Sequence, residues 1–210
     1  MRPHTTVHTA RLGAREFKVI RPARVPARAV PVDGPWSMDG WFDREAAHLT
    51  AGLWALAATS PRSLVHLPLR EGAAGGAYAG TWRPLDLVLL HHSLQFAPSR
   101  WKELRGRLGP GRPRTMDLRV PDPGPDARPA GSGRQPWASR DRFRQDIHSE
   151  TLFMTGSART RREGAGRFAD LARTGPGVLF GHTGRHYGRR VDCRPADRGL
   201  HIEHLEERPA

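Results

Sequence analysis

Between positions 121 and 136 the chain carries five prolines, three glycines and no apolar residue larger than alanine. A stretch without bulky apolar side chains has nothing to bury, so it reads as a linker or long surface loop. It divides the sequence into a main body over residues 1–120, a Pro/Gly-rich connection over 121–138, and a smaller carboxy-terminal part over 139–210 that is free to pack on the first. Elsewhere glycine (23) and proline (19) cut the 210 residues into short apolar runs, which favours many turns and short elements.

Residues 16–20 and 28–32 are each long enough for a short strand between proline breaks. Over 39–58, Phe42, Ala46, Leu49, Leu53 and Leu56 recur at three- and four-residue steps, which predicts a helix capped by Asp39 and stopped by Pro61. Residues 63–70 read as a strand, and the glycine-rich 72–80 as irregular. The most apolar stretch, 85–96, lies between Pro84 and Pro98 and suits a buried strand, with a buried helix as the alternative. Ser99 caps a short helix to 108 that places Trp101, Leu104 and Leu108 on one stripe.

Met116, Leu118 and Val120 alternate with Asp117 and Arg119, the period of a half-buried strand. Beyond the connection, 139–147 reads as a helix through Phe143 and Ile147, and 151–154 as a strand. Thr160 with Glu163 matches a capping box and opens a helix to 173. A last strand over 178–180 and a turn of helix over 200–207 complete the reading. The expected fold is α+β, a small mixed sheet with three or four helices.

Lys plus Arg (34) exceed Asp plus Glu (21), giving +13 and a pI near 11.5, so polyanions are the default partners. Of these cations 32 are arginine, a choice that GC-rich coding accounts for, although coding does not dictate the excess itself. Residues 11–28 and 100–114 each hold six cations against a single Glu. In the second, Arg100, Lys102, Arg105, Arg107, Arg112 and Arg114 are the candidate contacts of a basic nucleic-acid-binding protein, DNA or RNA, acting through phosphates. Trp101 either stacks on a base or, sharing the stripe of Leu104, packs in the core. The segment Gly111, Arg112, Pro113, Arg114 resembles part of the AT-hook, a minor-groove element, but Pro110 stands where that motif carries its first Arg.

An apolar run leading through Gly156 and Ser157 into a helix start with Arg159, Arg161 and Arg162 offers an anion-binding turn. His148 and Glu150 are the acid–base pair of the alternative reading, a small metal-independent, nuclease-like enzyme on a phosphate-bearing substrate. A third reading is an interaction module whose Trp and Arg residues meet an acidic protein. No catalytic residue is assigned.

Neither the P-loop, the dinucleotide fingerprint nor the Gly-x-Ser-x-Gly elbow occurs. His148-x-Glu150 has the shape of a zinc deaminase motif but lacks its paired cysteines. Glycines around His182 and His186 argue against helical zinc ligands, so no metal or cofactor is expected. The lone Cys193 excludes an internal disulfide and fits a reducing compartment. With no signal-like start and no run of 18 apolar residues, the expectation is a soluble, cytoplasmic chain without a membrane partner, of unknown oligomeric state.

Overall fold

The computed structural model describes residues 4–25, 28–34, 38–70, 82–120, 141, 143–174, 188–191 and 199–205. The expected connection at 121–138, the glycine-rich 72–80, the strand at 178–180, and His182, His186 and Cys193 lie outside these residues. The fold is α+β, with mixed sheets and, among the described residues, three α-helices.

The strands are β1 His4–Leu12, β2 Arg15–Pro22, β3 Ala29–Asp33, β4 Met38–Phe42, β5 Ser63–Leu67, β6 Arg83–Pro84, β7 Asp86–His91, β8 Arg112–Thr115, β9 Arg144–His148, β10 Thr151–Gly156, β11 Gly188–Arg190 and β12 Leu200–His204. The helices are α1 Arg44–Thr59, α2 Trp101–Gly106 and α3 Ala158–Thr174. One sheet has seven strands in the order β8-β1-β2-β5-β7-β10-β9, the other five in the order β11-β12-β4-β3-β6. Strands from either side of the Pro/Gly-rich connection share both sheets, since β10 runs parallel to β7 and β12 parallel to β4.

Helix α1 begins after Asp43, whose carboxylate accepts a hydrogen bond from the Ala46 amide at 2.8 Å. The expected start at Asp39 is corrected, because residues 38–42 are drawn into a strand between β3 and β12. Ala46, Ala47, Leu49, Ala51, Leu53, Trp54, Ala57 and Ala58 are all buried, so α1 is surrounded rather than one-sided. It packs antiparallel to α3: Arg161 reaches the Ala57 carbonyl at one end, while the Trp54 ring lies against Phe168 further along. Gly164 makes this approach possible, because a Cβ there would collide with the Trp54 ring. Helix α3 starts one residue after Ser157, whose Oγ accepts from the amides of Arg159 (3.1 Å) and Thr160 (3.2 Å), so Ser157 rather than Thr160 is the cap.

Three further expectations are corrected. Residues 144–148 are strand β9, with Ile147 opposite Leu152, not a helix. Residues 200–204 are strand β12, not helix. The alternating segment 116–120 is not a strand; instead β8 precedes it, and Leu118 is buried where a Cβ on Gly52 would meet it at 2.9 Å. Strand β1 has no counterpart in the sequence reading; its polar alternation is stabilised by pairing with β2 on one side and β8 on the other.

The central strands of the seven-stranded sheet are buried on both faces. One face, with Ile20, Val65, Leu67, Leu87 and Leu89, joins α1, α3 and the inner face of the smaller sheet. The opposite face, with Phe17, Val19, Leu64, Val88 and Phe153, is covered by Trp101 and Leu104 of α2 and by Phe96. This two-sided burial accounts for the continuous apolar run of β7.

Candidate functional site

The register of β1, β2 and β8 sorts the cations. Arg112 lies opposite Val7 and Arg114 opposite Thr5, while Lys18 lies opposite Thr9 and Glu16 opposite Arg11. Directly opposed residues project to the same face. Arg11, Lys18, Arg112 and Arg114 therefore share one face of this three-stranded wing, and all four are exposed. Glu16 is the only acidic residue in the three strands. The two basic segments of the sequence, about a hundred residues apart, thus meet on one surface.

The α2 cations do not lie on that face. Trp101 and Leu104 dock α2 on the side of the sheet that carries Ala10 and Leu12, the opposite one. Glu103 holds Arg100 and Arg107 at 2.9 Å each, and Arg107 also donates to the Arg11 carbonyl. Arg105 leans toward the buried Asp86 at 3.8 Å. Lys102 is exposed. Of the six expected contacts, the fold groups Arg112 and Arg114 with Arg11 and Lys18, and sets the four on and flanking α2 apart from them. Trp101 is buried against His66, Phe96 and Phe153, which settles it as a core residue. Residues 112–115 form a paired strand, not the free extended segment of an AT-hook.

A second charged cluster sits where β7 begins. Asp86 is buried, with the His66 ring at 3.7 Å, Arg70 Nε at 3.3 Å and the Arg70 amide donating to it at 3.1 Å. Burial pushes its carboxyl upward, but the approach of His66 and of the Arg70 amide and guanidinium outweighs this and holds it below the ordinary carboxylate value. Burial holds the His66 imidazole below its ordinary value despite Asp86, so it is neutral at pH 7. Arg70 also pairs with Glu150. Glu150 and Ser149 form the tight turn between β9 and β10 with φ of 56° and 48°, a conformation that non-glycine residues rarely adopt.

At the opposite end of β7 and β10, where the parallel strands present their carboxyl ends, lie His91, Ser157, Thr160 and Arg161. Ser157 Oγ donates to Asp141 at 2.6 Å while capping α3. His91 Nδ1 accepts from the Ser93 amide at 3.2 Å, which leaves the ring proton on Nε2. Burial, with His92 and Arg161 nearby, lowers the His91 pKa. Of the three arginines of the expected anion turn, Arg159 is bound to Glu163, Arg162 is exposed, and only Arg161 turns inward, with an exposure of 0%. Gly156 has no room for a Cβ, which would meet Thr160 Oγ1 at 2.6 Å.

His148 and Glu150 precede β10 and the anion turn follows it, so the length of a six-residue strand, roughly 17–20 Å, separates the groups that the enzyme reading combines. Among the described residues no group of three or more His, Cys, Asp or Glu is arranged to hold a metal ion. No helix among them is long and apolar enough to cross a membrane. Comparison with protein families, curated proteins and solved structures gives no match.

Proposed function

We propose that the chain is a basic nucleic-acid-binding protein whose phosphate-contacting face is the β8-β1-β2 wing. The observation that carries this reading is the register-driven grouping of Arg11, Lys18, Arg112 and Arg114, all exposed, on one face with Glu16 as the only carboxylate in those strands. Guanidinium and ammonium groups on a rigid sheet meet a sugar-phosphate backbone without ordering a loop, so little entropy is lost on binding. Contacts of this kind carry no base code and predict similar affinity across sequences.

A salt series with single-stranded RNA and duplex DNA tests it. Three to four neutralised phosphates give a slope of log K against log salt of about −3 on the duplex. Replacing Arg112→Gln and Arg114→Gln together reduces that slope by about 2 and weakens all sequences alike. Absence of association at about 50 mM salt, or an unchanged slope in the double variant, overturns the proposal.

A further inference from the structure

Arg161 is a fully buried cation, and three of its five N–H donors, those on Nε and Nη2, are unused among the described residues. Its Nη1 donates to the Ala57 carbonyl at 2.8 Å, in the last turn of α1, a helix with no basic residue of its own there. That contact is favourable, because a helix carboxyl end carries partial negative charge. Among the described residues its Nε and Nη2 have no hydrogen-bond partner, and no carboxylate lies within ion-pair distance of it. Nε and Nη2 form one coplanar edge of the guanidinium, the pair of donors that matches two oxygens of a phosphate or carboxylate. A buried charge left in this state is costly unless something pairs with it.

The surroundings identify what that is. Arg161 belongs to the first turns of the 17-residue α3, where a helical side chain leans toward the amino end of its helix, and its Nη1 also reaches the carboxyl end of α1. The same end holds the Ser157 cap and the carboxyl ends of parallel β7 and β10, the place where open α/β sheets receive ligands. The positive end of α3 and the Arg161 fork favour an anion, while Asp141 and the carboxyl end of α1 oppose it. His91 is within electrostatic reach of Arg161 and of His92. We infer that the Nε–Nη2 edge of Arg161, at the amino end of α3, is a binding site for a small phosphate group, separate from the β8-β1-β2 wing.

Thermal unfolding of the full chain in inorganic phosphate, against sodium acetate and sodium chloride at equal ionic strength, tests the site. A saturable, phosphate-specific rise in Tm of roughly 5–10 °C is expected at a hundredfold excess over Kd. It persists in the Arg112→Gln/Arg114→Gln variant, which separates this site from the nucleic-acid face, and disappears in Arg161→Met. Arg161→Lys keeps the charge without the fork, and is expected to weaken phosphate at least about tenfold, a second readout should the Met variant not fold. A phosphate response no larger than that of chloride, one retained at full strength in Arg161→Lys, or an equal response to acetate overturns the inference.

Discussion

Asp86 and Arg161 are both buried charges, one at each end of the same parallel strand pair, and the chain treats them oppositely. Around Asp86 it gathers Arg70, Arg105 and the His66 ring, so the carboxylate is met by three side chains. Around Arg161 it supplies one carbonyl, and Nε and Nη2 have no hydrogen-bond partner among the described residues. A buried charge held by its own partners is a feature of the scaffold, whereas one left half-paired points outside the chain.

The largest effect that sharpens this contrast is expected at Asp86. Asp86→Ala leaves Arg70 and Arg105 without their shared acceptor, and equilibrium denaturation should show a loss of about 2–4 kcal/mol, moderated because both arginines retain some access to water. An acid limb comes next. Folded His66 and His91 bind protons less readily than the unfolded chain, so the unfolded chain takes up more protons as pH falls below 6.5, and stability drops with it. The slope is at most about 1.4 kcal/mol per pH unit for each histidine, and denaturation of His66→Gln at pH 7.5 and 5.5 should show a flatter dependence, with the His91 share remaining. Asp86 contributes stability above its unfolded value of 3.8 that disappears only as pH falls below it.

The smallest effect is expected at Arg161. In phosphate-free buffer, Arg161→Met removes one hydrogen bond and also a desolvated charge, so the two nearly cancel and stability changes by less than about 1 kcal/mol. A loss as large as that of Asp86→Ala would erase the distinction between the two ends.

The parts of this architecture legible in the sequence are those whose signal is local. The runs behind β2, β5, β7 and β10 and the Trp101–Leu104 stripe stand out because burial dictates their residue types. What was hidden depends on partners distant in the chain. Asp39 to Phe42 continue the apolar spacing of α1 smoothly, and only β3 and β12 on either side make them a strand. Residues 144–148 and 200–204 are likewise decided by β10 and β4. The wing was half visible: the charge of Arg112 and Arg114 is plain, but that they face away from α2 follows from a register no local pattern encodes. Arg161 differs from Arg159 and Arg162 only in helical phase, which Ser157 sets by fixing where α3 begins.

Pro113 in β8 has a consequence for the chain in company. The outermost strand of the seven is only four residues long, bears a nitrogen with no hydrogen to offer, and is flanked by two guanidinium groups. A second copy attempting to extend the ladder there meets a missing donor and mutual repulsion, so growth into filaments along that margin is discouraged even at high protein concentration.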